Sequence, residues 1–241
     1  MDIQFLQETL LLLLPGIPLT LALAFGSVLL GFFLALALAL LRQSGLRLLD
    51  MIARAYVFIF RGSPLLVQMF LIYYGLGQFP AVRDSLFWPL LREPYWCALL
   101  SLTLCTAAYA SEIIRGGLQS VPYGQIEAAW SCGMTRLQVL RRIVLPVALR
   151  QALPAYGNEM ISMVKSTSLA SIITLMEVTG IAAGLIAETY RALEVFTVAG
   201  AIYLAINLVL TRLLQWLEYR LTPHLRAQKS VPLVKHSRQA S

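Results

Sequence analysis

The chain has 241 residues, of which 59% are hydrophobic and 13% charged; soluble domains carry about 25% charged residues, so the composition excludes an ordinary soluble domain and points to a membrane. The net charge of +7 does not signal nucleic acid, because the basic residues fall between apolar runs and form no stripe interleaved with exposed aromatics.

Taken in order, the N-terminal apolar run lacks a basic leader and is interrupted by Pro15 and Pro18, unlike a cleaved signal peptide. Thr20–Leu41 is the first expected span, long enough at about 1.5 Å per residue for a core of about 30 Å. Arg42–Arg54 is basic and amphipathic and is expected along the cytoplasmic surface. A second span is expected from about Tyr56 to Leu76, kinked or restarted at Gly62-Ser63-Pro64 because Pro64 lacks an N–H, with Arg61 at its cytoplasmic edge. Gln78–Pro94 reads as a loop with balanced charges and Tyr95–Ile114 as the third span. A polar, basic stretch follows, then a fourth span from Ala152 to about Ile173 with Pro154 in its first turn. Glu177–Glu194 reads as a short amphipathic outer segment, and Phe196–Leu217 as the fifth span. Residues 1–221 thus form a single transmembrane domain and residues 222–241 a flexible tail.

Positive charge orients the spans. Fifteen of the nineteen basic residues fall on one side, three (Arg83, Arg92, Arg191) on the other, and Lys165 lies within a span. The expected fold is therefore an all-α, polytopic bundle of five transmembrane helices, N-terminus outside and C-terminus cytoplasmic.

The polar stretch, about residues 117–150, becomes a cytoplasmic loop. Gln125–Cys132 can form a short helix ended by Gly133 in a left-handed cap, with Glu127 near its start complementing the helix dipole. Ala128 and Ala129 leave one face bare for a partner. Thr135 can cap a second helix that stops near Pro146.

Within the spans, ionisable groups are functional suspects because they are costly there. On the fourth span Asn158, Glu159, Ser162, Lys165 and Ser166 share an arc of about 120° at about 100° per residue. An ammonium and a carboxylate so placed could hold a carboxylate and a cation of a substrate, or neutralise each other. Thr167 and Ser168 extend the stripe unless their hydroxyls bond back to the helix. On the third span Tyr109 and Glu112 share a face with Ser101, Cys105 and Gly116, either as pathway or as a packing seam; Gln68 can line a pathway from the second. Cys97, Cys105 and Cys132 form no Cys-x-x-Cys pair, so free, buried thiols and no metal are expected. Phosphate-loop, zinc-protease and nucleophile-elbow motifs are absent from the sequence, so no catalytic residue is assigned.

The spacing Glu127-Ala128-Ala129, three residues, Gly133, nine residues, Ile143-Val144-Leu145-Pro146 resembles the cytoplasmic loop of permease subunits in ATP-driven (ABC) importers. Phe60-Arg61-Gly62-Ser63-Pro64-Leu65-Leu66-Val67-Gln68, Ile72-Tyr73-Tyr74-Gly75, Arg115-Gly116-Gly117-Leu118-Gln119-Ser120-Val121-Pro122 and Lys165-Ser166-Thr167-Ser168-Leu169 look like the polar amino-acid branch of that family. The likeness covers roughly Thr20 to Leu217. It implies the type I importer permease fold in a bacterial cytoplasmic (inner) membrane, with Glu127, Ala128, Ala129, Gly133 and Pro146 coupling to an ATPase. The implied partners are two ATPase subunits carrying ATP and Mg, a second permease subunit, identical or homologous, and an extracytoplasmic solute-binding protein. The chain itself would bind no cofactor and perform no catalysis, and transport would run by alternating access. The length of Gln78–Pro94 resembles subunits for histidine, lysine, arginine, ornithine or opines such as octopine. The competing expectation is a self-contained secondary transporter or channel with Glu159 and Lys165 as ion sites. An odd span number and small size count against it, since such carriers are built of two repeats.

Overall fold

The computed structural model describes residues 2–221; the expected tail, 222–241, lies outside the described residues. Helix α1 (Ile3–Leu13) opens on Asp2, whose carboxylate accepts the Gln4 N–H. One tight turn containing Pro15 leads into α2 (Ile17–Gln43). Pro15 and Pro18 each sit in a first turn, where a missing N–H costs nothing, so the helical run extends from Ile3 to Gln43 and does not begin at Thr20.

The second expected span is two helices. Helix α3 (Arg47–Gly62) and α4 (Leu65–Phe70), the latter continued by a wide turn to Gly75 and a tight one to Gln78, are bent by 104°. Pro64 excludes Ser63 from the helical region, and Ser63 is extended at φ −103°, ψ 146°. The amide of Gln68 donates to the Phe60 carbonyl (2.9 Å), the Ser63 carbonyl (3.0 Å) and the Ser63 hydroxyl (2.9 Å), partnering carbonyls that the break orphans.

After Gln78, α5 (Pro80–Arg83) and α6 (Trp88–Leu91) lead to α7 (Pro94–Gln119), the axial helix, which packs against α2, α3, α4 and the helix that follows the loop. Its buried positions are mostly small: Ala98, Ser101, Ala107, Ala108, Ala110 and Ser111. Small residues let helix backbones approach where no hydrophobic drive separates helix from lipid. A Cβ on Gly117 would lie 2.7 Å from the Ala148 carbonyl oxygen, so glycine is required where α7 crosses the helix that follows the loop.

The loop carries α8 (Tyr123–Ser131) and α9 (Arg136–Val139) and runs into α10 (Leu145–Ser166) without the expected stop at Pro146. A wide helical turn, Leu140–Val144, precedes the proline, and the Leu145 N–H bonds the Leu140 carbonyl. The five-residue bond loosens the helix where the Pro146 ring would otherwise crowd the preceding turn. Pro154 consequently lies inside α10, not in a first turn. After Ser166 the helix tightens through Thr167–Ile173 and ends at Thr174, φ 71°.

Helix α11 (Val178–Thr189) is no amphipathic surface segment. Val178 and Ala182 are fully buried against Leu13 of α1 and against Val195 and Ile202 of α12 (Ala192–Leu221). A second core, with Leu23, Met69, Leu102, Met163 and Ile173, lies where α2, α4, α7 and α10 meet. Three helical runs, Ile3–Gln43, Pro94–Gln119 and Ala192–Arg220, are long and apolar enough to cross a membrane alone; counting each of two bent pairs as one span gives five. No strand occurs among the described residues.

Candidate functional site

Helix α10 carries the polar stripe on a face that the single chain leaves largely open. Asn158, Ser162 and Lys165 are exposed, Glu159 is half-buried, and Val164 and Met163 are buried on the other side. Glu159 and Lys165 make no ion pair. The Glu159 carboxylate instead turns to α7 and accepts the Thr106 hydroxyl at 3.0 Å. Lys165 lies in the last helical turn of α10, where the helix dipole favours a cation. An exposed ammonium beside a half-satisfied carboxylate cannot face lipid tails cheaply, so this face requires water, a substrate or another protein surface. The hydroxyls beyond it are occupied: Ser166 donates to Ser162, Thr167 to Val164 and Ser168 to Lys165, all to main-chain carbonyls. Only backbone and lone-pair capacity remain there for a ligand.

Other expected pathway residues divide. The Glu112 carboxylate is bound by Arg42 and by Arg115 (2.6 Å), so it serves as the hub joining the ends of α2 and α7 and has little capacity for substrate. Gln68 is buried and holds the α3–α4 break, although its Oε1 has no partner. Tyr109 is half-buried and carries the Arg61 guanidinium over its ring, 4.9 Å from the centroid. Arg61 is exposed. It points into an open cleft of about 500 Å³ between α3 and α7, lined by Arg42, Arg54, Arg61, Tyr109 and Glu112. The sequence offered a signal for Arg61: it immediately precedes Gly62-Ser63-Pro64, the point where the helix must break and its last side chains turn sideways.

In the loop, α8 ends as drawn from the sequence. Gly133 has φ 78°, its N–H bonds the Trp130 carbonyl (2.9 Å), and the Met134 N–H bonds the Ala129 carbonyl (3.1 Å), the bond pair of a left-handed helix cap. Thr135 caps α9 reciprocally with Gln138. Three details differ. Helix α8 starts at Tyr123, so Glu127 falls in its second turn, past the reach of the dipole, and is exposed. Ala128 is exposed but Ala129 is buried, although both line the groove between α8 and the segment from Arg142 to Val147. Cys132 is exposed while Cys97 and Cys105 are buried, so only two of the three thiols are shielded. Pro146 is half-buried at the start of α10.

One buried acid escaped the sequence reading. Glu177 is fully buried; its carboxylate caps α11 by accepting the Gly180 N–H (2.9 Å) and also accepts hydroxyls of Thr20 (3.3 Å) and Tyr203 (2.5 Å). The spacing Glu177–Gly180 at the start of an apolar helix was the available signal, since a capping side chain reaches three residues on.

With this geometry in hand, the chain can be set beside known proteins. The family model described as "binding-protein-dependent transport system inner membrane component" matches residues 27–223. The octopine transport system permease protein OccM of Rhizobium radiobacter is 61% identical over 225 residues, covering 93% of this chain and 92% of that protein. The nopaline transport system permease protein NocM of Agrobacterium fabrum is 55% identical, covering 95% of each. The arginine ABC transporter permease protein ArtM of Haemophilus influenzae is 41% identical, covering 93% and 98%. Among solved structures, one described as an amino acid ABC transporter with histidines aligns with a TM-score of 0.81 at 34% identity, covering 91% of this chain and 99% of that one. The MetNI methionine ABC transporter, at 23% identity and TM-score 0.66, supports the fold alone. The self-contained carrier is thereby set aside. The chain belongs to the binding-protein-dependent transport system inner membrane components, as a multi-pass permease subunit of the polar amino-acid branch of ABC importers whose ATP hydrolysis resides in a partner subunit.

Proposed function

We propose that this permease subunit translocates cationic amino acids or arginine-derived opines, handed over by an extracytoplasmic solute-binding protein, across a bacterial inner membrane. The observation that carries the reading is the unpaired couple on α10: Glu159, half-buried with one hydroxyl partner, and Lys165, exposed on the same open face. Arginine, octopine and nopaline, the compounds in the relatives' names, all combine a guanidinium with at least one carboxylate. Glu159 would take the guanidinium; Lys165, with backbone groups of Ser166–Ser168, would take a carboxylate. Ser162 lies between them, with Tyr109 and Gln68 beside the path.

The open face also supports a second permease subunit, identical or homologous, closing the pathway. Two ATPase subunits holding ATP and Mg would engage α8 through Glu127 and Ala128, with Gly133 and Pro146 fixing the angle at which the loop meets α10; the chain itself binds no cofactor. Residues 1–221 form one permease domain, with its N-terminus outside and the 222–241 tail in the cytoplasm. Cys132 reports this topology without mutation, since the other two thiols are buried. A membrane-impermeant maleimide should modify it in inverted vesicles and not in intact cells, and labelling from outside overturns the orientation. Uptake supplies the substrate test. Glu159→Gln should weaken transport of arginine while leaving the assembled complex at wild-type levels. Equal loss for cationic and neutral substrates, with less complex, makes Glu159 a structural residue.

A further inference from the structure

Arg61 is a cation without an ion-pair partner within 4 Å among the described residues. Its cleft offers no free acid, because Glu112 is bound by Arg42 and Arg115 and Asp50 by Arg42 and Arg54. Its guanidinium rests on Tyr109, and Tyr109 stands one turn along α7 from Thr106, the residue that holds Glu159. Neighbouring turns of one helix face lie about 5–6 Å apart, so Arg61 and Glu159 address adjacent positions on α7, one from α3 and one from α10. Glu159 has no ion-pair partner within 4 Å among the described residues, Lys165 included. Arg61 lies in the last turn of α3, at the 104° break, and its exposed side chain lines the open cleft.

We propose that Arg61 is the counter-ion of the empty site, a specificity-determining residue that leaves the Arg42–Glu112 cleft to neutralise Glu159 between transport events and returns to that cleft when a substrate cation takes its place. This rests on Glu159 as the cation-binding group. Three consequences follow from the charges. The empty permease avoids an uncompensated carboxylate within the membrane, which would otherwise take up a proton. A neutral substrate cannot displace Arg61, so discrimination is built in as a competition between two guanidinium-type cations. Release toward the cytoplasm is assisted, because Arg61 moves back to Glu159 as the substrate leaves.

The test uses the assembled transporter in proteoliposomes, with arginine and its neutral, near-isosteric analogue citrulline as probes, and infrared difference spectra to read the protonation of Glu159 without any substrate. In the wild type and in Arg61→Lys, subtraction of the Glu159→Gln spectrum should give a carboxylate signal; in Arg61→Gln it should give a protonated carboxyl. Assayed at a pH alkaline enough to ionise Glu159 in the variant, Arg61→Gln should also lower KM for arginine by about tenfold, as its competitor is gone, and lower kcat as release slows; Arg61→Lys should restore both. If Arg61→Gln assembles poorly, adding Glu159→Gln should recover assembly, since the stranded charge is then removed. A Glu159 that stays ionised in Arg61→Gln, or poor assembly that Glu159→Gln does not recover, overturns the proposal. The two readings fail separately. If Glu159→Gln leaves arginine-over-citrulline discrimination intact, the cation site itself is elsewhere. If Glu159→Gln abolishes discrimination while Arg61→Gln leaves the KM for arginine unchanged, only the counter-ion role is lost.

Discussion

Two glutamates flank the translocating half of this permease and meet opposite surroundings. Glu177 is fully buried and accepts from a backbone N–H and two hydroxyls drawn from α2, α11 and α12. Glu159 is half-buried and accepts from Thr106 alone, facing an open surface. A carboxylate with its lone pairs occupied rigidifies what it joins, whereas one left short of donors retains capacity for a ligand. The contrast separates a structural clasp joining α2, α11 and α12 from the carboxylate that the proposed function assigns to substrate. Neither the residue type nor its position within an apolar stretch distinguishes them; the count of donors does.

The largest test breaks the clasp. Glu177→Ala removes the acceptor shared by the Gly180 N–H and the Tyr203 hydroxyl, at a cost of about 3 kcal/mol in stability. The thermal midpoint of the purified complex should fall, with transport lost in proportion to folded protein and no change in substrate preference. A shifted preference would move Glu177 into the pathway. Next, Glu159→Gln should leave that midpoint nearly unchanged but weaken cationic substrates by about 30-fold or more, matching the roughly 2–5 kcal/mol lost when one member of a desolvated charge pair is removed. Uptake KM for a cationic against a neutral substrate measures it.

The loop between α7 and α10 provides a comparison in the middle of the scale. Gly133→Ala should cost about 1–2 kcal/mol through the left-handed backbone alone, because a Cβ there meets nothing within 4 Å, and Gly133→Asn should be milder. ATPase retention during purification in detergent reads both. Ala128→Trp should detach the ATPase from a folded permease, whereas Ala129→Trp should first disrupt the seam under α8, and limited proteolysis of the loop distinguishes the two. The smallest effect sharpens the original contrast. Thr106→Val removes the one donor held by Glu159, and should cost about 1 kcal/mol in substrate binding, seen as a several-fold rise in KM without loss of complex.

Several of these features were legible in the chain, each because its cause is local. Gly133 as a left-handed cap, Thr135 as a helix N-cap, and the break at Ser63-Pro64 depend on backbone sterics and on side chains within three residues. The size of that break did not: 104° required the Gln68 amide to gather the carbonyls of Phe60 and Ser63, a bond pattern visible only once the chain has turned. The continuation of the loop helix through Pro146 was missed because a wide turn can absorb a proline, and nothing in residue spacing announces one. Ala129 was placed on an open face since small size reads alike whether a partner or the protein's own helix approaches.

The sequence by itself determined that the chain is a membrane helix bundle, which face of the fourth span is polar, where the loop caps lie and, through ordered motifs, which transporter family it joins. These follow from hydropathy, charge asymmetry and short-range sterics, whose reach is a few residues. Only the tertiary structure decided which ionisable groups are satisfied. Glu112 is taken by arginines on two helices, Glu177 by groups from three elements, and Glu159 by one hydroxyl 53 residues away, with Arg61 over Tyr109 one turn along the same helix. Satisfaction of a charge inside a membrane depends on donors brought from distant elements, and those distances exist only after the helices have packed.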